Sequence, residues 1–143
     1  MTLSQTAEYA LRAMVALGGD DGRARTAHDL AEESQVPLDY LFKILNSLAK
    51  AGIVTGRRGI GGGVQPARPA AELTVLLVLA AVDPVQRIKT CPLRLKAHEN
   101  NLCPLHRKLD DAARMVEEAF ASTTIAALAT PSFCEGEACS AAD

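Results

Sequence analysis

The chain has 143 residues, 48% of them apolar, which suits one domain or one domain with an appendage. Its longest largely apolar run, residues 73–82, is far below the ~20 residues that a membrane span needs, and the N-terminus has no signal-peptide pattern. We therefore expect a cytoplasmic protein with no membrane partner. Its four cysteines should serve as metal ligands or redox groups rather than as a disulfide scaffold.

The N-terminal half predicts a helix-turn-helix. Apolar residues recur at helical spacing from Gln5 to Leu17. The hydroxyl of Thr26 can cap a second helix, and Pro37 fits the first turn of a third helix that Gly52 ends. Two short helices joined by a tight turn make a helix-turn-helix, in which the third helix presents its polar side chains outward.

The stretch after the third helix predicts a β-hairpin. Residues 53–55 favour a strand, residues 56–63 form a glycine-rich turn, and residues 64–65 begin a return strand. In this position a hairpin is a wing, whose arginines could enter a minor groove. A phosphate-binding loop is the rival interpretation, but no Lys-Ser/Thr follows the glycines and the order strand-loop-helix is missing.

Charge is unevenly distributed along the chain. The net charge is −2, yet residues 40–71 contain no Asp or Glu and five Lys or Arg. Such a segment can mark a nucleic-acid face, although a chance gap in the acids would look the same. The candidate contacts with double-stranded DNA are polar, basic or loop residues of this region and of the two helix starts: Thr26, Pro37, Tyr40, Lys43, Asn46, Ser47, Arg57, Arg58 and Gly59.

The C-terminal half predicts a short helix, an irregular loop and a long helix. Thr74 can cap a helix to about Val82, and a helix with an apolar seam runs from Leu105 to about Leu128. This helix is longer than one small core requires, so it predicts a homodimer. The fold is mainly α with a β-hairpin wing. It is divided into a winged helix-turn-helix DNA-binding domain (1–83), a cysteine-containing sensor loop (84–104), a dimerisation helix (105–129) and a flexible tail (130–143).

Two thiolates and two imidazoles stand within sixteen residues in the predicted sensor loop and the helix after it: Cys91, His98, Cys103 and His106. Such a set suits tetrahedral zinc, and it also suits a two-iron two-sulfur cluster. Cys103 and His106 share a helical face if the helix starts near Pro104. Free thiols without metal are the remaining interpretation, and Cys134 and Cys139 are expected to be bystanders in the tail.

Several segments, taken in order, resemble the IscR/NsrR-type winged-helix repressors of the Rrf family over roughly residues 1–128. Many of these repressors sense iron–sulfur status, nitric oxide or redox state. The segments that carry the resemblance are 8–14, 29–32, 36–41, 43–45, 51–54, 58–64, 72–74 and 80–83. The chain departs from the family at Phe42, where relatives often carry a Glu that helps to select the operator, and at Val64, which replaces an aromatic residue.

The resemblance also implies a sensor site. Cluster-binding relatives present three cysteines six apart; Cys91 and Cys103 match the outer two, and Ala97 stands at the middle position. His106 lies where some relatives place a histidine ligand, with His98 as its competitor, and Glu8 of the other subunit can complete the set. This mixture favours a [2Fe–2S] cluster over a [4Fe–4S] cluster, with zinc or no metal as alternatives.

Together these features predict a dimeric DNA-binding transcriptional regulator, a repressor, controlled by a cluster or by the redox state of Cys91 and Cys103. A zinc-bound or metal-free regulator with a thiol switch is the alternative, and regulation by protein contact alone is another. A cysteine-dependent enzyme is disfavoured because no oxyanion-hole glycine motif flanks either cysteine. The sequence specifies neither the operator, nor the signal, nor whether the loaded form binds DNA.

Overall fold

The structure, a computed structural model, describes residues 2–19, 22–99 and 101–129. It has the predicted mainly helical fold with one two-stranded antiparallel hairpin. The elements in chain order are α1 (Gln5–Gly18), α2 (Ala27–Ser34), α3 (Leu38–Lys50), β1 (Val54–Arg57), β2 (Gly63–Pro66), α4 (Val75–Val82), a 3-10 turn (Lys96–His98), α5 (Pro104–Ala121) and α6 (Ile125–Leu128). The tail from residue 130, with Cys134 and Cys139, lies outside the described residues.

Side-chain caps fix the starts of the helices. The Thr26 hydroxyl accepts a hydrogen bond from the backbone N–H of Asp29 at 3.1 Å, and Thr74 accepts one from Leu77 at 3.2 Å. Both caps were predicted from the sequence, and a cap of this kind contributes about 1 kcal/mol. Gln35 adopts a left-handed conformation with φ 53° and turns the chain from α2 into α3.

Helix α1 lies at the centre of the core and packs against α2, α3, α4 and α6. It buries Met14, Leu17 and three alanines, whose small side chains let the neighbouring helices approach closely. The largest other core side chains come from the neighbouring helices and from Leu73 just before α4: Leu30, Leu41, Ile44, Leu48, Leu73, Val78, Leu79 and Ile125.

The wing is attached to the rest of the domain by a short backbone pairing outside the hairpin itself. Arg25, just before α2, pairs with Val64 of β2 through two backbone hydrogen bonds of 2.8 and 2.7 Å. Gly63 has φ +139° and lies so close to Arg25 that an added Cβ would overlap the Arg25 carbonyl oxygen. The end of β2 next to the turn is therefore held to the residue before α2, at a glycine that no other residue can replace without a shift of backbone.

The long C-terminal helix is shorter than the sequence predicted. Helix α5 ends at Ala121, because Ser122 and Thr123 both donate side-chain hydrogen bonds back to the carbonyl of Ala119, and Thr124 then caps α6. Ile125 is fully buried beside α1, where it lies against Gly18. The prediction of one helix to about residue 128 was wrong, because the chain turns back to bury Ile125 in its own subunit.

Within the described residues, every helix is too short or too polar to cross a membrane.

Candidate DNA interface and cysteine loop

Helix α3 buries one face and exposes the other. Leu41, Ile44, Leu45 and Leu48 point into the core, so the residues between them form an outward stripe. The stripe lies at helical spacing and contains two of the predicted DNA contacts, Lys43 and Asn46; its members are Asp39, Phe42, Lys43, Asn46 and Lys50.

Tyr40 and Ser47 lie on the flank of this stripe, toward α1. The Tyr40 hydroxyl and the Thr6 hydroxyl are 2.6 Å apart, and the Tyr40 ring packs edge-on against Tyr9 with centroids 5.2 Å apart. The Ser47 hydroxyl donates to the carbonyl of Lys43 in the same helix. Tyr40 is thus half-buried and joins α3 to α1, which fixes the position of the outward stripe.

The tip of the wing is held open by its glycines. Gly59 and Gly61 have positive φ angles, and the N–H of Gly62 donates to the carbonyl of Gly59 at 3.0 Å. Arg57 and Arg58 are exposed at this turn. Thr26 and Pro37 are exposed at the first turns of α2 and α3, so each predicted DNA residue of the wing and helix starts is accessible.

Two exposed apolar side chains of the same surface were not among the predicted DNA contacts. Phe42 is 53% exposed within the outward stripe of α3, and Ile60 is fully exposed at the tip of the wing. An apolar side chain can contact a thymine methyl group or wedge against a base step. The sequence held a signal for each of these two contacts: Phe42 is an apolar residue at an otherwise polar position of α3, and Ile60 is an apolar residue among the glycines of the wing.

Of the two described cysteines, Cys103 lies beside His106 at the start of α5, and Cys91 lines the same cavity as His98. The Cys103 sulfur caps α5: it accepts from the N–H of His106 at 3.5 Å and lies 3.2 Å from the Nδ1 of His106. Cys91 is buried, and together with His98 it lines a cavity of about 570 Å³. The Nδ1 atom of His98 is buried without a hydrogen-bond partner among the described residues.

The arrangement of these side chains within one described subunit does not fit an iron–sulfur cluster. Nowhere in residues 2–19, 22–99 and 101–129 do three or more Cys, His, Asp or Glu side chains come close enough to hold a metal ion. Glu8 is exposed on the first turn of α1 and belongs to no such group. A [2Fe–2S] or zinc site would require Cys91 and His98 to approach Cys103 and His106, or a second subunit to contribute ligands.

A helix-turn-helix, a wing tied to it and a surface on which basic residues outnumber the single carboxylate of the α3 stripe define a winged-helix DNA-binding protein. The chain belongs to the Rrf2 family, described as iron-dependent transcriptional regulators, which it matches over residues 3–131. It is 30% identical over 130 residues to a Haemophilus influenzae protein described as an HTH-type transcriptional regulator, covering 90% of this chain and 86% of the other.

Two solved structures share the fold. The global cysteine regulator CymR of B. subtilis superposes with a TM-score of 0.74 at 22% identity, covering 90% of this chain and 96% of the other. T. potens IscR superposes with a TM-score of 0.73 at 21% identity, covering 90% and 85%. The H. influenzae relative and these two neighbours are regulators rather than enzymes, in agreement with the prediction from sequence.

Proposed function

We propose that the chain is a dimeric transcriptional repressor that binds operator DNA through α3 and the wing and is controlled at Cys91 and Cys103. The observation that supports DNA binding best is the exposed surface of α3 and the wing. It presents Lys43, Lys50, Arg57 and Arg58, against which the α3 stripe sets one carboxylate, Asp39, and residues 40–71 supply none. Cations in this arrangement attract phosphates, and the side chains between them can reach base edges.

Helix α5 supports the dimer. It has 18 residues, about 27 Å at 1.5 Å per residue, and not one of them is buried within the described subunit. Its exposed apolar residues follow one another at spacings of four, three, three and four, as in a helix-packing seam: Leu105, Leu109, Ala112, Met115 and Ala119. A two-fold dimer through this face would present two α3 helices to a palindromic operator.

Two substitutions test the DNA surface. Arg58→Ala should lower operator affinity by about 1–3 kcal/mol, since an arginine in a DNA groove recognises either a base edge or a narrow minor groove. Lys43→Ala should weaken binding to all sequences alike and reduce the salt slope by about one if its partner is a phosphate. The measurement is binding to the promoter of the chain's own operon, titrated at several salt concentrations.

The matched control is Arg114→Ala, because Arg114 is half exposed on α5 and pairs with Glu118 of the same helix. It removes the same charge from a different face and should leave DNA binding unchanged. Full affinity in both Arg58→Ala and Lys43→Ala, with the fold intact, would mean that another face binds DNA.

Control at the cysteines is supported by the position of Cys103. Its sulfur is the N-cap of α5, so oxidation or modification of that atom changes the size and charge of the group that accepts from the His106 N–H. The first turn of the proposed dimerisation helix would then be capped differently. Because α5 would set the spacing of the two reading heads, a change at Cys103 would alter operator affinity.

A metal-dependent sensor is the second candidate. Family membership and the unpartnered Nδ1 of His98 beside Cys91 favour it. Bound to Cys91, Cys103, His106 or His98 and to Glu8 of the second subunit, a cluster would supply a redox-active, nitric-oxide-reactive group. The separation of the donors into two pairs makes thiol control the better supported of the two.

One preparation distinguishes these candidates. The chain is purified anaerobically, its visible spectrum recorded and its iron, sulfide and zinc measured. Affinity for the promoter is then compared in reductant and after hydrogen peroxide. Thiol control predicts a colourless, metal-free protein whose affinity changes by about 5- to 150-fold, a response that Cys103→Ala abolishes and Cys134→Ala retains.

Visible absorbance with stoichiometric iron and sulfide, lost in Cys91→Ala and Cys103→Ala, would assign the site to a cluster instead. Stoichiometric zinc without colour would assign it to zinc. An affinity that is the same in every state of the wild-type chain would exclude control at these cysteines.

A further inference from the structure

Arg87 joins the start of the cysteine loop to helix α5 through a guanidinium group that donates one hydrogen bond from each of its three nitrogens. Its Nε and Nη2 donate to the two carboxylate oxygens of Asp110 at 2.7 and 2.8 Å, and its Nη1 donates to Glu117 at 2.8 Å. The backbone N–H of Ile88 donates to the same Asp110 carboxylate at 2.9 Å. We call Arg87, Asp110 and Glu117 the Arg87 clamp.

The Arg87 clamp is firm by the usual criteria for ion pairs. The pairing with Asp110 is bidentate, and all three side chains are at most 30% exposed. The hydrogen bond from Arg87, followed by that from the Ile88 N–H, lowers the pKa of Asp110 from 3.8 to about 2. The pKa of Arg87 rises in turn because it bonds Asp110 and then Glu117. Arg87 and Asp110 are therefore both charged throughout the physiological pH range.

The position of the clamp gives it a task beyond stability. Helix α4, which packs against α1 and α3, ends at Val82, and Arg87 follows five residues later. Asp110 and Glu117 lie two turns apart on α5. The clamp is thus the polar joint between the DNA-reading domain and the helix proposed to form the dimer.

The clamp also closes the cysteine loop. Cys91 lies four residues after Arg87, and Cys103 caps α5 seven residues before Asp110. Residues 88–103 therefore leave the clamp and return to the same helix, with the two cysteines near the two ends. A displacement of this loop therefore bears on α5 at two points, the Cys103 cap at its start and the Arg87 and Ile88 bonds to Asp110.

We propose that Arg87 is a positioning residue that transmits the state of the cysteine loop to the angle between α5 and the DNA-reading domain. This inference rests on the proposed control at Cys91 and Cys103. With the clamp closed, α5 and α4 hold one relative position. When chemistry at either sulfur moves the loop, the clamp loosens and the two α3 helices of the dimer change their spacing. Without the clamp, changes in the loop no longer reach the DNA surface.

The test compares the ratio of promoter affinities in reductant and after hydrogen peroxide, or with and without a metal found in the preparation. Arg87→Met keeps an unbranched, flexible stem and removes the guanidinium group with its charge. Asp110→Asn keeps its shape. Both should bring the ratio from the wild-type value to about one, and the double variant should show no further change, as for residues of one interaction network. Thermal unfolding of each variant verifies the fold.

Arg114→Met is the matched control. Arg114 makes a 2.7 Å ion pair with Glu118, but both partners belong to α5, so its loss severs no joint. It should keep the wild-type ratio. A purely structural role for Arg87 would lower the unfolding temperature and leave the ratio intact.

The outcomes separate the inference from the function on which it rests. A wild-type chain whose affinity does not respond to thiol or metal state overturns the proposed control and the coupling with it. A wild-type chain that responds, together with an Arg87→Met variant that keeps the full response, overturns the coupling alone.

Discussion

Gly63→Ala is expected to reduce operator affinity on the order of 10- to 100-fold while leaving the helical core folded. Gly63 has φ +139°, a conformation essentially restricted to glycine, and a side chain there strains the backbone by about 1–3 kcal/mol. Its Cβ would also overlap the carbonyl oxygen of Arg25, so the pairing of β2 with the start of α2 must open. The wing would lose its fixed direction. Gel-shift titration with the promoter measures the loss, and circular dichroism verifies the helices.

The control for this substitution is Gly56→Ala in the partner strand. A Cβ at Gly56 meets no described atom within 4 Å, and the residue is not among those with positive φ. Its variant should bind DNA as the wild type does. Equal losses in both variants would show that the effect is not specific to the contact between Gly63 and Arg25, and full affinity in Gly63→Ala would show that the Arg25 pairing does not position the wing.

The second large effect is expected from Leu109→Glu on the proposed dimer face of α5. Leu109 is 48% exposed in one subunit, and a buried carboxylate at a two-fold interface would meet its own copy. Dissociation leaves each reading head with one half-site, and the loss of bivalent binding lowers operator affinity by about 10²- to 10⁴-fold. Sedimentation velocity at micromolar concentration should show dimers for the wild type and monomers for the variant.

Leu77→Glu provides the comparison, because Leu77 is a leucine of α4 with a similar exposure of 41%. It occupies the third position of its helix, where a carboxylate suits the N-terminal dipole. This variant should remain dimeric and bind DNA. A monomeric wild-type chain would overturn the dimer proposal, whereas a dimeric Leu109→Glu variant would move the interface to another face.

Local signals account for the parts of the fold that the sequence predicted. Thr26 and Thr74 cap the helices that they were expected to cap, because an N-cap acts on backbone groups two or three residues away. Helix α3 buries Leu41, Ile44, Leu45 and Leu48 because their spacing alone determines which side of the helix is apolar. The glycines of the wing likewise predict a turn, because glycine adopts backbone conformations that other residues rarely adopt.

Other features depend on residues that are distant in sequence. The pairing of Arg25 with Val64, the burial of Ile125 beside Gly18 and the bonding of Arg87 to Asp110 and Glu117 have no local pattern. The apolar periodicity predicts one helix to about residue 128. Periodicity alone does not distinguish an apolar face that packs on a second subunit from one that packs in its own subunit. Ile125 has the periodicity of α5 but packs in its own subunit.

The candidate sensor shows the same division. From the sequence, Cys91, Cys103 and two histidines formed one potential ligand set, because they are close along the chain. The tertiary structure separates them into Cys103 with His106 at a helix start and Cys91 with His98 at a cavity. Short-range backbone geometry and side-chain periodicity depend on residues that are neighbours in the sequence. The sequence by itself therefore determined the helix-turn-helix, the wing and the family. Which donors meet, and which apolar face remains uncovered, follows from long-range packing and was decided only when the whole chain folded.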